Sequence, residues 1–140
     1  MIRFTLQDPE RTRALRRDFD HRDLNHKFVK WLYRKGHLEK YKDVISSERA
    51  RRGRIPRGFD VHHIIPLSGG GTNHVSNLCL MEQSLHKFIN KKCFDPVLRH
   101  VRIGESVDID VPDFGSIALR REYAPWVDRK IAHARQSDSK

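Results

Sequence analysis

Cysteine is nearly absent from this chain: there are two in 140 residues, Cys79 and Cys93, fourteen positions apart. Two thiols without a second pair cannot build a four-cysteine zinc ribbon, and nothing points to the oxidising compartment a disulfide needs. Both read as ordinary buried or half-buried thiols. Long apolar runs are missing as well, none approaching the roughly 20 residues that span a bilayer, so no membrane association is expected. The first residues, "MIRFTLQDPERTRALRR", lack the continuous apolar stretch of a secretory signal. The expected location is therefore the cytoplasm, or a target cell reached by some other delivery route. There are no internal repeats and no low-complexity segments. With 37% hydrophobic and 33% charged residues, a chain of this length reads as one soluble domain with a modest core.

What the chain has in excess is positive charge, +10 in all, and it is unevenly spread. Residues 1–58 carry 17 Lys and Arg against 8 Asp and Glu, whereas residues 59–92 are nearly balanced and residues 93–140 are neutral. A basic block of this kind suits a polyanion, because neutralising phosphates releases condensed counterions. A solvated helix face or an acidic protein partner explains the charge equally well.

The pattern from Asp8 to about Arg52 is helical, with Leu24, Phe28, Trp31 and Leu32 recurring at three- and four-residue steps. One helix is expected to end at Gly36, and another to run from Leu38 to Arg51. Trp31, Tyr33 and Tyr41 are of a kind that stacks on bases, but aromatics at helical spacing are more often core. "RRGRIPRG", residues 51–58, is a basic connector. A compact unit follows: "FDVHHIIPL" as a strand, "SGGGTNHVS" as a turn-rich loop, "NLCLM" as a second strand and "EQSLHKFINKK" as a helix. Beyond Asp95 and Pro96, "VLRHVRIG", "ESVDIDVPD" and "GSIALRR" alternate apolar with polar residues as strands do. "APWVDRKIAHARQ" then reads as a closing helix and "SDSK" as a frayed tail.

Chemistry concentrates in the compact unit. His62 and His63 stand side by side, Asn77 opens the second strand, and His86 and Asn90 follow at helical i, i+4 spacing, so that both aim at one point. A metal ion is the natural occupant. Taken alone, a histidine pair is as easily a hydrogen-bonded feature of a turn. By strand periodicity Asp60 shares a face with His62, which suits a carboxylate accepting a hydrogen bond from that imidazole and fixing its tautomer. A solvated strand-edge aspartate fits equally. The same periodicity raises a difficulty, since neighbours on a strand point to opposite faces, yet both histidines are wanted at one site. The expectation is that His62 looks toward the helix while His63 lies at a twisted strand end. His74, in the loop, reads as solvent-facing, and His21, His26, His37, His100 and His133 as structural or surface residues. Gly69, Gly70 and Gly71 lack the Gly-Lys-Ser/Thr that would make a phosphate-cradling loop, so a tight turn is expected.

With "DVHHIIPLSGGG", "SNLCLM" and "SLHKFINKK" in this order, the stretch from about Phe59 to Lys92 resembles the HNH nucleases, whose ββα-metal fold is shared with the nuclease colicins. It covers about a quarter of the chain. The resemblance implies an α+β fold with a ββα-metal core at residues 59–92, a basic helical segment before it (1–58) and a small β-rich and helical extension after it (93–140), all within one endonuclease domain. It implies His62 and His86 as metal ligands, His63 as the general base that takes a proton from water, and Asn77 as the residue that pins the loop to the strand. Asn90 falls where some members place a third ligand, commonly a histidine, and here the pattern departs.

The implied activity is metal-dependent hydrolysis of phosphodiester bonds with one divalent ion. Imidazole ligands suit tight binding of Zn²⁺ or Ni²⁺, while Mg²⁺ or Mn²⁺ is expected to support turnover. DNA is the expected substrate in preference to RNA, with low sequence specificity because no base-reading module is evident. Lys87, Lys91 and Lys92 beside the ligand helix, and Arg51, Arg52, Arg54 and Arg57 in the connector, are the candidate phosphate contacts, although solvation alone also explains them. An acidic immunity or inhibitor protein is a further candidate partner. The alternatives are a non-catalytic DNA- or RNA-binding protein with a structural ion, and a ribonuclease of the same fold.

Overall fold

The computed structural model describes residues 1–138 and is a mixed α+β structure. In chain order its elements are β1 (Ile2–Thr5), α1 (Pro9–His21), α2 (Leu24–Arg34), α3 (Ser47–Arg51), β2 (Phe59–His63), β3 (Leu78–Glu82), α4 (Gln83–Ile89), α5 (Asp95–Leu98), β4 (Ser106–Ile109), β5 (Ile117–Ala118) and α6 (Ala124–Asp138). Among the described residues, no helix is long and apolar enough to cross a membrane.

Strand β3 is the hub. It pairs antiparallel with β2, His62 opposite Cys79 and His63 opposite Leu78, and parallel with β5, Leu80 opposite Ile117, giving the order β2-β3-β5. As the central strand it is buried on both faces, which is why "LCLM" reads as a continuous apolar run rather than an alternation. Cys79 and Met81 enter one core with Leu85 and Ile89 of α4, Phe4 of β1 and Trp126 of α6. Leu78 and Leu80 enter the other, with Phe28, Val29 and Leu32 of α2, Tyr41 and Ile45. Two clusters on opposite faces of one small sheet thus tie the basic N-terminal helices and the C-terminal segment to the same strand. A second sheet does likewise: β1 pairs antiparallel with β4, Phe4 opposite Val107.

Helix α1 starts as its sequence directs, Pro9 occupying the first turn and the Asp8 carboxylate accepting the Glu10 N–H at 2.8 Å. Several expected elements are revised. The helix placed at Leu38–Arg51 is only a 3₁₀ turn at Glu39–Tyr41 and the short α3, because Tyr41 and Ile45 turn inward to the core instead of continuing a stripe. The first strand stops at His63, short of its expected end at Leu67, and Leu67 instead opens a 3₁₀ turn, Leu67–Gly69. "VLRHVRIG" is not a strand: α4 passes through a π turn, Asn90–Phe94, directly into α5, so Val97 and Leu98 are helical. Pro96, which has no N–H to donate, follows directly on the π turn, where the i→i−4 ladder is already interrupted. Strand β1 lies in a stretch too short to show an alternation of its own, and it exists because β4 supplies the partner. The closing helix runs on through Ser137 and Asp138 of the expected tail, and Ser139 and Lys140 lie outside the described residues.

Candidate active site

Strand β2 is an edge strand, and a cavity of about 580 Å³ runs along its unpaired side. One wall comes from α1 and the start of α2, with Thr12, Arg16, Phe19, Asp20 and Asn25; the other comes from α4 and its continuation, with His86 and Asn90. Asp60, Val61, His62 and His63 form the floor. Alternation does send the two histidines to opposite faces of β2, but a cavity that wraps an edge is lined from both. His62 faces the α4 side, its ring packed edge-on to His86 with centroids 4.9 Å apart and close to Phe94 and Phe114. His63 faces the α1 side, its ring 4.9 Å from that of Phe19.

The two imidazoles have different surroundings. His62 is buried, 4% exposed, and its Nε2 has no hydrogen-bond partner. Burial first, and then the neighbouring His86 and His63, push its pKa down to about 3, so the ring is neutral with a free lone pair at neutral pH. Leaving such an atom unsatisfied costs on the order of 1–3 kcal/mol, and an orphaned buried polar atom calls for a physical reason, a bound ion or water among them. His86 is oriented by Asp60, whose Oδ2 lies 3.0 Å from the ring Nδ1. A carboxylate there draws the proton to Nδ1 and leaves Nε2 as the donor atom for a ligand. Asp60 was expected to serve His62. The shared face is as expected, but α4 lays His86 over that face within reach of Asp60, and Gln83 of the same helix donates to Asp60 Oδ1 at 3.2 Å. Asn90 lines the same cavity one helical turn beyond His86. Its place coincides with the start of the π turn, a local widening that recurs at functional sites.

His63 has its pKa lowered chiefly by burial and also by the nearby charge of Arg16, against a hydrogen bond to Asn73 that raises it. That bond, Nε2 to Asn73 Oδ1 at 2.9 Å, is matched by two from the Asn73 amide to α1: one to the Leu15 carbonyl at 2.9 Å and one to Asp18 Oδ2 at 3.2 Å. Asn73, Phe19 and Arg16 escaped the sequence reading. Asn73 sits in a loop whose polar residues all look alike in sequence, and the other two lie forty-odd residues upstream with no spacing to tie them to the histidines.

Asn77 never reaches the cavity. Its Oδ1 accepts the Ile65 N–H at 2.9 Å, and its Nδ2 donates to the Ile65 and Thr72 carbonyls, each at 2.9 Å. The side chain therefore stitches the loop between β2 and β3 to the foot of β3. Gly71 is packed against this stitch, with no room for a side chain. Arg11 of α1 holds the same loop by the Leu67 and Gly71 carbonyls.

The remaining candidates stand apart from the cavity. Lys87, Lys91 and Lys92 are exposed beside α4 and do not line it. Arg51 and Arg52 are both engaged by Glu48, at 2.8 and 3.1 Å, which leaves Arg54 and Arg57 as the exposed connector cations without an ion pair among the described residues. His74 caps the turn at Val75–Asn77. Trp31 is half-buried and stacks with Phe28 and with His37, away from the cavity, while the Tyr41 hydroxyl donates to Glu122 at 3.0 Å. Cys79 and Cys93 are buried free thiols, the former pushed up to about 12 chiefly by burial.

Over 58 residues, 41% of this chain, the sequence is 33% identical to the uncharacterized protein YhhZ of Escherichia coli (strain K12), and the chain spans 15% of that protein's length. No family model and no solved structure matches it.

Proposed function

We infer that this protein is a metal-dependent endonuclease of the HNH type, with a ββα-metal core formed by β2, β3 and α4, that hydrolyses phosphodiester bonds in DNA. The observation that carries the reading is the orphaned Nε2 of buried His62 beside His86, an imidazole turned by Asp60 to offer its own Nε2. Among the described residues no three His, Cys, Asp or Glu side chains converge on one point, and the donors we assign to the ion are His62, His86 and Asn90, all of which line the cavity. That donor set fits a divalent ion which keeps open positions for water and phosphate, tightest for Zn²⁺ or Ni²⁺ and productive with Mg²⁺ or Mn²⁺. When bound, such an ion supplies neutralisation of the charge that develops on the phosphate and leaving oxygen.

The chain's own residues do the rest. His63 takes the proton of the attacking water, a role for which a neutral imidazole at neutral pH is suited. Arg16 on the α1 wall, the side that His63 faces, presents a cation to the phosphate and disfavours protonation of His63. Exposed Arg54, Arg57, Lys87, Lys91 and Lys92 offer backbone contacts that carry affinity without reading sequence. The same basic surface suits an acidic inhibitor protein.

Cleavage of supercoiled plasmid by wild type and by His63→Ala, in EDTA and with each of Mg²⁺, Mn²⁺, Ni²⁺ and Zn²⁺, tests this reading. Metal-dependent nicking by wild type and not by the variant is the expected result. Plasmid that is retarded but intact in every lane favours a binding protein with a structural ion, and cleavage of RNA alone moves the substrate.

A further inference from the structure

Building on that reading, we propose that Asn73 is the positioning residue of the general base: it fixes the His63 tautomer, presents Nδ1 to the water and ties the base to helix α1. The orientation of the Asn73 amide is set by its other partners. Both the Leu15 carbonyl and the Asp18 carboxylate are obligate acceptors, at 2.9 and 3.2 Å, so the atom facing them is the NH₂ group. Oδ1 is thereby turned to His63 at 2.9 Å. A carbonyl oxygen only accepts, so His63 Nε2 carries the proton and donates, and in the neutral ring the lone pair resides on Nδ1.

Nδ1 has no hydrogen bond to any described residue, and it is not among the buried unpartnered atoms, so it opens to the cavity that the ring lines. Phe19 packs on the ring with centroids 4.9 Å apart and blocks its rotation. Leu15, Asp18 and Phe19 all belong to α1. The N-terminal helix thus acts on the base through a residue of the loop that Asn77 stitches in place, and the base is oriented by a segment outside the histidine-bearing motif.

The test uses the full chain, ¹⁵N-labelled on histidine, with cleavage kinetics alongside. Long-range ¹H–¹⁵N correlation distinguishes the two neutral tautomers, and a hydrogen-bonded Nε2–H exchanges slowly with solvent. Wild type should show the Nε2–H form of His63 with a protected proton. Asn73→Ala, checked by circular dichroism to be folded, should lose that protection and cut roughly 10- to 100-fold more slowly at saturating DNA, with KM changed by less than about twofold. The conservative Asn73→Gln keeps a side-chain carbonyl to accept from His63 and an NH₂ to donate to the Leu15 carbonyl and Asp18 of α1. It should keep the protected proton and a rate within about tenfold of wild type.

An Nδ1–H tautomer in wild type overturns the proposal. So does an Asn73→Ala protein that cuts at the wild-type rate, or one that slows while the imidazole proton stays protected. Failure of the nuclease reading looks different: wild type then shows the protected Nε2–H and cuts nothing with any metal, which removes the catalytic consequence and leaves the hydrogen-bond assignment in place.

Discussion

Replacing Gly71 by alanine should be among the costliest small changes in this protein, and the reason is space rather than backbone conformation. A Cβ built there meets the Ile65 carbonyl oxygen at 1.8 Å, its carbon at 2.7 Å and Asn77 Nδ2 at 2.8 Å, all well inside the closest approach that real Cβ atoms make. To accommodate the methyl group, the 65–71 contact must open by more than about 1 Å, and packing at protein density leaves no slack to absorb it. The carbonyl that must move is the one that accepts from Asn77 at 2.9 Å, and the same side chain holds the Ile65 N–H. Losing two half-buried hydrogen bonds at about 1 kcal/mol each, plus overpacking strain of about 1 kcal/mol, gives about 3 kcal/mol. For a chain of this size that lowers Tm by roughly 10 °C.

Two other glycines serve as controls. Gly70 has φ +103° with no atom nearer than 3.4 Å, so Gly70→Ala should lose only the backbone preference, about 1–2 kcal/mol. Gly115 has neither a left-handed φ nor an atom within 4 Å, so Gly115→Ala should be neutral within about 0.5 kcal/mol. Thermal melts of the three variants in EDTA measure the series. A Gly71→Ala protein melting within a degree or two of Gly115→Ala would refute the packing of this loop, and with it the route by which Asn77 serves the site.

The metal-free protein should lose stability as the pH falls from about 6.5, because unfolding lets His62 take a proton that the folded site refuses until about pH 3. The slope is about 1.4 kcal/mol per pH unit, or about 2 kcal/mol by pH 5; urea titrations of wild type and His62→Gln in EDTA isolate it as the difference between the two, and equal slopes would contradict it. His62→Ala and His86→Ala should weaken metal binding in calorimetry by tenfold or more along with cleavage, whereas His63→Ala should keep metal and DNA binding and lose about 10²- to 10⁴-fold in rate; normal cutting by His63→Ala would show that the base lies elsewhere. Asp60→Asn should lower metal affinity about 10- to 100-fold through His86 rather than His62, visible as a change in the His86 imidazole signals while those of His62 stay in place. A change confined to His62 would return Asp60 to its first expected partner.

The parts that were legible in the sequence are those whose residues lie close together along the chain. "DVHH", "NLCLM" and "SLHKFIN" announce two short strands and a helix because local spacing decides their faces, and β2, β3 and α4 stand where those words put them. The strand ends were not legible, since β2 stops where Asn77 captures Ile65, a contact twelve residues away. Still less visible was everything that depends on distant partners: β1, which needs β4 more than a hundred residues on; the π turn, which brings Phe94 to His62; and the α1 wall that meets His63 through Asn73. Charge alone did not show the partner of Arg51 and Arg52: Glu48 sits at helical spacing from both and pairs with each at the surface.

The adjacent histidines follow from the position of β2 in its sheet. On a central strand such as β3, neighbouring side chains are separated by the sheet itself, and His62 and His63 would be buried in two unconnected cores. On an edge strand the same alternation becomes useful, because a cavity along the free edge is reached from both faces. One imidazole can then be enclosed by Phe94, Phe114 and His86 and held neutral, while its neighbour is turned by the hydrogen bond it makes to Asn73 of the following loop. An edge strand ordinarily needs protection against pairing with another chain. Here α1 on one side and α4 on the other flank that edge, and the space left between them is the cavity. The same packing therefore protects the edge and gives two consecutive residues two different environments at one site.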